Sequence, residues 1–380
     1  LTKIKMNKTY CTFPTNGMFI SDRGVGLCCE SNQYYNLDPL EFWHSAERKL
    51  LLEKQKNGVR VKQCQPCYDA EDRGILSIRQ LHNSNKNTKI RDLPTKLDLD
   101  FSNFCNLKCV MCGPNRSSQW AKDLGINKNT NGIRAVSPRV FKDTCELSHQ
   151  LEELVIQGGE PSIMPEFEEY FKYLKENNLI GNIKLQVITN LTNINNRFFE
   201  YLKEFKSVTL GVSIDSFGRA NDYIRFPSNF DKITNNLIKI SKMNSKIEVE
   251  VFNSIQILSL FNYDKFLKWY LTMKKEFASR NSAFKMIAMK VITPKIYNLF
   301  NAPEKLKQKF KKDVDEFFLN HPDEKRNKHF YIQLQLILKK MLSSSCDDDT
   351  IDSLKKQIQA LDNKRSIKIT NYIPDFHNYI

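Results

Sequence analysis

From residue 95 to residue 292 short β-branched or apolar runs alternate with amphipathic stretches, and this alternation constrains the fold more than any other feature of the chain. The runs TKLDLDF (95–101), LEELVIQ (151–157), KLQVITN (184–190), SVTLGVSID (207–215), KIEVEVFNSIQ (246–256) and FKMIAMKVI (284–292) read as strands. Between them PEFEEYFKYLKENN, NNRFFEYLKEF, FDKITNNLIKISKMN and YDKFLKWYLTMKKEFAS carry apolar residues three and four apart, the pattern of helices with one buried face. Six strands alternating with helices imply repeated βα units and a parallel sheet. Right-handed connections curl such a sheet with the helices outside. The expected fold is therefore α/β, a partial (β/α)6 TIM-type barrel over residues 94–298.

The flanks depart from this pattern. Residues 1–93 contain a hairpin candidate, MFISDRGVGLCC, a helix from about Asp38 to Lys56, and the stretch CQPCYDAEDRG, and we expect a small cysteine-rich module. Residues 299–380 read as a helical extension of three segments, split by NHPDEK and by SSSCDDDT, whose Ser and Asp residues suit a linker and a helix cap. No chemistry is visible there, and Cys346 reads as incidental. Residues 113–150 form a long first connection, and long connections in compact domains are often functional. This one is expected to cover a substrate.

A chain of 380 residues with 41% hydrophobic content can fill two or three cores. Mean hydropathy is −0.50. No apolar run approaches the roughly 18 residues of a membrane span, and the start LTKIKMNKTYC lacks the apolar core of a signal peptide. A soluble, cytoplasmic protein is expected. Because the chain opens on Leu1 and the nearest methionine is Met6, part of the natural N-terminus is expected to be missing. The net charge of +15, from 58 Lys and Arg against 43 Asp and Glu, suits an anionic partner such as nucleic acid or an acidic protein. Lys and Asn are nevertheless spread along the whole chain, with no dense basic block interleaved with aromatics.

The ten cysteines are grouped: Cys11, the pair Cys28 and Cys29, the pair Cys64 and Cys67, the triplet Cys105, Cys109 and Cys112, and the isolated Cys145 and Cys346. In a reducing compartment such clustering points to metal rather than disulfides. The triplet has C-x3-C-x2-C spacing directly after the first strand, and three thiolates leave one coordination position open. A zinc site completed by His82 or His149 is one reading, although zinc pairs are usually C-x2-C or C-x4-C. Ligands of parallel sheets gather at the carboxyl ends of the strands. At those ends lie the triplet, then Gly158-Gly159-Glu160-Pro161, then Asn190, then Ser213-Ile214-Asp215. The two glycines remove side chains where backbone could approach a ligand, and Glu160 supplies an acceptor for an ammonium group. Alone, GGEP also reads as a turn, and Asp215 as an ordinary strand end.

Taken together, CNLKCVMC, GGEP after the next strand and VSIDS two strands later resemble the radical S-adenosylmethionine (SAM) enzymes. The resemblance implies that Cys105, Cys109 and Cys112 bind three irons of a [4Fe-4S] cluster whose fourth iron is chelated by SAM. It implies that Met111 packs near adenine and that Gly158, Gly159 and Glu160 receive the SAM ammonium. Asn190 and Ser213 match positions that contact ribose or carboxylate, and Arg225 in DYIRFP resembles the arginine that pairs with the carboxylate. Arg225 also reads as a surface arginine.

The N-terminal module resembles the auxiliary-cluster modules called SPASM and twitch. That likeness rests on YCTFP, the hairpin ISDRGVGLCC, the helix with EFWHS, and C-x2-C running into YDAEDRGILSIRQ. It implies a second, auxiliary [4Fe-4S] cluster on Cys11, Cys29, Cys64 and Cys67, with Cys28 one residue from the same position. Four thiolates fit the shorter twitch type, here before the barrel instead of after it; a zinc ribbon is the other reading of these cysteines. The resemblance leads us to expect a radical SAM enzyme acting on a peptide or protein side chain, with flavodoxin or ferredoxin as one-electron donor. RNA or a small metabolite is the alternative substrate, and a zinc-containing nucleic-acid-binding or scaffold protein the alternative of another class. No pattern marks a general base.

Overall fold

The structure, a computed structural model, describes residues 8–74, 76–84, 91–194, 197–243 and 247–380. Residues 1–7 of LTKIKMNKTYC, Asn195 and Asn196 at the head of one expected helix, and Lys246 at the head of one expected strand lie outside the described residues. The chain divides into two compact units. The first comprises Leu1–Cys105, Gly125–Ile188 and Asn196–Val208, and the second Asn106–Leu124, Thr189–Asn195 and Thr209–Ile380.

Eight strands form: β1 (Gly17–Ser21), β2 (Gly24–Gly26), β3 (Lys96–Asp100), β4 (Glu153–Gln157), β5 (Lys184–Thr189), β6 (Ser207–Ser213), β7 (Ile247–Ile255) and β8 (Phe284–Lys290). The last six are the expected ones, each shortened by a residue or two. In the first unit the order is β2-β1-β3-β4-β5, antiparallel at β1–β2 and parallel from β1 onward. The expected hairpin therefore does more than form: β1 lengthens the parallel sheet, with Gly17 opposite Lys96 and Ser21 opposite Asp100. All five residues of β1 are buried, as a strand covered on both faces requires. Gly17 allows the pairing, since a Cβ there would meet the Lys96 carbonyl oxygen at 2.5 Å.

The single helix expected from Asp38 to Lys56 is two, Pro39–His44 and Ala46–Lys56. Ser45 is extended and its side chain accepts from Arg48 N, so it ends one helix and caps the next. Helix Pro165–Glu176 buries Phe167, Tyr170, Phe171 and Leu174, the i, i+3, i+4, i+7 set its sequence displays. Phe167 stacks on Phe101 at 4.9 Å, and Phe171 packs on Phe198 at 5.1 Å. Each ring contributes about 1.5–3 kcal/mol by leaving water.

In the second unit β6, β7 and β8 follow in order, β7 and β8 in parallel, beside helices Phe230–Met243 and Tyr263–Ala278. Among the described residues β2 pairs with β1 alone, and β8 with β7 alone. The helical extension has its three segments, Glu304–Asn320, Lys328–Leu342 and Asp348–Arg365. Asp347 caps the last by accepting from Thr350 N, the role its Ser and Asp run suggested. The connection 113–150 forms helices Ser118–Asp123 and Pro138–Leu147, capped by Ser117 and Ser137. Among the described residues no helix is long and apolar enough to cross a membrane.

Candidate functional site

The triplet begins at the carboxyl end of β3. In the first unit, the residues leading to the buried Cys105 are fixed by their own side chains. Ser102 Oγ donates to the Arg134 carbonyl at 2.7 Å, and Asn103 Oδ1 accepts from Arg134 N at 2.8 Å. GGEP lies along this segment: Gly159 N donates to Ser102 O at 3.0 Å and Glu160 N to Phe104 O at 2.8 Å. Gly158 has φ +126°, and a Cβ on Gly159 would stand 2.2 Å from Phe104 O. Both glycines thus serve the contact of two backbone segments. Glu160 is 1% exposed, and its Oε1 accepts from Ser162 N at 3.2 Å and Ser162 Oγ at 2.6 Å.

Of the paired N-terminal cysteines it is Cys28 that senses the charges of Cys11, Cys64 and Cys67, although these thiols are not drawn in to the spacing of metal ligands. Cys11, Cys28 and Cys64 are buried within electrostatic reach of one another and of Cys67. Burial pushes the Cys11 thiol up to about 12 and that of Cys64 to about 11, with the neighbouring sulfurs adding to the rise. Gln55 Nε2 donates to Cys64 Sγ at 3.0 Å, and the Arg79 guanidinium opposes the rise at Cys11 and Cys64. Cys29 points elsewhere, hydrogen-bonded to the Asp98 carboxyl of β3, and burial followed by that charge raises its thiol. Asp98, which also accepts from Gln157 Nε2 at 2.7 Å, is itself pushed up to about 6 by burial. Just after β2 the chain bends at Cys28 and turns at Cys29, so the two adjacent sulfurs meet different neighbours.

The histidines considered as a fourth zinc ligand are occupied otherwise. His82 packs on Phe13 at 4.7 Å, and burial followed by the Lys96 charge draws it down to about 4. His149 pairs with Tyr173 Oη at 3.3 Å. Among the described residues no three His, Cys, Asp or Glu side chains are grouped as ligands of a single metal ion.

In the second unit the segment from Asn106 to Cys112 is held chiefly through its backbone. Lys108 N donates to Phe226 O at 2.5 Å and Val110 N to Ile224 O at 2.8 Å. Ser117 Oγ donates to Leu107 O at 2.6 Å, and Trp120 Nε1 to Cys109 O at 2.9 Å. Cys109 is buried, Cys112 and Met111 half-buried. Cys109 and Cys112 share a sulfur hydrogen bond, which with burial raises the Cys109 thiol well above its ordinary value.

Arg225 is not a surface arginine. Its Nε lies 2.7 Å from Asp215 Oδ2 and its Nη1 4.0 Å from Cys109 Sγ, so one guanidinium joins a strand-end carboxylate to a thiol of the triplet. Burial would lower its pKa, but Asp215 and Cys109 outweigh it and the group stays a cation. Asp215 is fully buried, which raises its carboxyl against the opposing pull of Arg225 and of Ser254 N at 2.9 Å. Asn190 donates from Nδ2 to Asn106 Oδ1 at 2.9 Å, inside the C-x3-C stretch, and accepts at Oδ1 from Thr192 Oγ1 at 2.7 Å. Ser213 closes β6, half-buried. No motif points to Arg365, whose guanidinium reaches the Lys108 carbonyl at 2.7 Å.

Among proteins of known sequence, the chain is 30% identical over 130 residues to the uncharacterized protein MJ0907 of Methanocaldococcus jannaschii, spanning 34% of this chain and 41% of that one. Among solved structures it is similar to anSMEcpe with bound AdoMet and Cp18Cys peptide, at 18% identity and TM-score 0.38, covering 60% of this chain and 61% of that one. It is also similar to Streptococcus suis SuiB bound to S-adenosylmethionine, at 16% identity and TM-score 0.39, covering 83% and 70%. Likenesses this distant say nothing about activity. The family match lies in the strand-rich middle of the chain: residues 99–267, which include the triplet, GGEP, Asn190, Ser213 and Arg225, match the model of the Radical SAM superfamily.

Proposed function

We propose that the chain is a radical SAM enzyme that abstracts a hydrogen atom from a peptide or protein side chain. The observation that carries this reading is the thiol triplet itself, set at the carboxyl end of β3 inside the matched segment and immobilised by the hydrogen bonds described above. The donor set fits a cluster: Cys105 and Cys109 are buried sulfurs, Cys112 is half-buried, and Arg225 stands beside Cys109 to offset thiolate charge. Cys105, Cys109 and Cys112 would hold a [4Fe-4S] cluster, which together with SAM would supply one-electron reductive chemistry and radical hydrogen abstraction.

The residues of the chain then divide the remaining work. Cys105, Cys109 and Cys112 are the cluster ligands. Asn190 holds Asn106 and so the shape of the C-x3-C stretch. Gly158, Gly159 and Glu160 hold the segment before Cys105, and Glu160 is the acceptor we assign to the SAM ammonium. Arg225, Ser213 and Met111 are assigned to the carboxylate, ribose and adenine of SAM. Cys11, Cys28, Cys64 and Cys67 are assigned to an auxiliary [4Fe-4S] cluster, and that module favours a peptide substrate over RNA. A flavodoxin or ferredoxin would deliver the electron.

The test is anaerobic reconstitution with iron and sulfide, followed by iron analysis and dithionite-driven conversion of SAM to 5′-deoxyadenosine. The parent should hold about eight irons, and a Cys105/Cys109/Cys112→Ala variant about four with no cleavage. Zinc in place of iron and no deoxyadenosine would overturn the reading.

A further inference from the structure

The last helix of the extension, Asp348–Arg365, ends in a cation that has left water. Arg365 is 9% exposed although it is the final residue of its helix. Its Nη2 donates to the Lys108 carbonyl at 2.7 Å and its Nη1 to the Tyr223 carbonyl at 3.1 Å. One planar fork therefore ties the residue before Cys109 to the segment that carries Arg225. The guanidinium lies over the Phe226 ring at 4.6 Å and the Tyr223 ring at 5.5 Å, which fixes its plane.

Neighbours on the same helix reinforce the contact. Tyr223 Oη donates to Asp362 Oδ1 at 2.8 Å, and Lys364 Nζ lies 3.2 Å from Asp123, which also receives Lys108 Nζ at 3.0 Å. The last turn of this helix is thus fastened to both ends of the Lys108–Tyr223 junction.

Arg365 also carries charge toward the sulfurs. Burial lowers its pKa, while Cys109 is among the groups that hold it up, so the guanidinium and that thiol interact electrostatically. An arginine remains protonated in such surroundings. Adding one electron to a cluster on Cys109 makes the site more negative by one charge, and a fixed buried cation favours that change.

We propose that Arg365 is a positioning residue of the cluster site, which sets the path of the Cys105–Cys109 loop and raises the reduction potential of the cluster bound there. This rests on the radical SAM reading above. It gives the helical extension a defined part in the chemistry.

The experiment compares the parent with Arg365→Met, Arg365→Gln, Arg365→Lys and the control Lys356→Ala, an exposed lysine of the same helix, all reconstituted anaerobically in the full chain. Iron per chain, the midpoint potential and line shape of the reduced triplet cluster by electron paramagnetic resonance, and the melting temperature are read together. Arg365→Met and Arg365→Gln should shift the potential to more negative values and alter the line shape. Arg365→Lys, which keeps the charge but cannot span two carbonyls, should recover the potential and not the line shape. Lys356→Ala should match the parent. Loss of about four irons at an unchanged melting temperature would also support the assignment, because the loop would no longer present its thiolates. Lowered melting temperatures with unchanged potential and line shape would overturn it and leave the radical SAM reading standing. A parent that takes up no iron would overturn that reading, and this inference with it.

Discussion

Removing the guanidinium from the Asp215–Arg225 pair should destabilise the protein in a way that depends on pH. Asp215 is fully buried and Arg225 nearly so, with 2.7 Å between their charged atoms. At an effective dielectric constant of about 20 the attraction at that distance is roughly 6 kcal/mol, most of which offsets the cost of taking two charges out of water. In Arg225→Met the carboxylate keeps the Ser254 N hydrogen bond and loses its counter-charge, a change that typically costs about 3–5 kcal/mol. Burial already raises the Asp215 carboxyl with Arg225 present, and the variant raises it further. A carboxyl whose folded pKa lies above its unfolded value of about 3.9 favours folding fully only below that value, and this contribution is lost as pH rises through the folded pKa. The deficit of Arg225→Met should therefore be largest near pH 8 and shrink on acidification toward pH 5. Asp215→Asn with Arg225→Met, which leaves no buried charge, should recover more than half of it. Urea unfolding followed by tryptophan fluorescence at both pH values measures each arm. A single variant within about 0.5 kcal/mol of the parent at pH 8, or a deficit equal at both pH values, would refute the reasoning.

The remaining predictions concern the two cysteine sites. Gly159→Ala must push a Cβ against the Phe104 carbonyl, where the contact would be 2.2 Å, so it should cost about 1–3 kcal/mol and reduce iron uptake at the triplet. Gly113→Ala, whose Cβ would meet nothing within 4 Å, should stay within about 0.5 kcal/mol; equal melting temperatures for the two would contradict the packing argument. Cys28→Ser should lower total iron from about eight toward four, while Cys29→Ser, which loses only the contact to Asp98, should keep the full complement. The reverse order of iron contents would restore Cys29 as the ligand.

What the sequence made legible, and what it hid, follows from how each feature is encoded. β3 to β8 and their helices were readable because burial of one helix face demands a period, as Phe167, Tyr170, Phe171 and Leu174 show. β1 was legible as half of a hairpin, but its parallel pairing with β3 was not, since GMFIS carries no repeat spacing and a parallel partner is fixed by contacts distant in sequence. The break at Ser45 was hidden because the apolar period runs through it, and only the extended backbone reveals the cap. In the site, residue types with their own chemistry stood out: the thiols, the double glycine, the strand-end Asp215. The choice between Cys28 and Cys29 turned on a single residue of register, which spacing does not resolve. Arg225 was found by its motif with its exposure left open, because the carboxylate that permits its burial lies ten residues away, just past the end of β6. Arg365 left no trace at all. Its acceptors are main-chain carbonyls, which every residue possesses, so no residue at Lys108 or Tyr223 advertises the contact. A positioning cation aimed at backbone is invisible to motif reasoning, and a tail without motifs can still act on a cluster through it. The Lys substitution at Arg365 bears on this directly, since it preserves what the sequence records, a positive charge, and removes what only the structure records, a fork across two carbonyls.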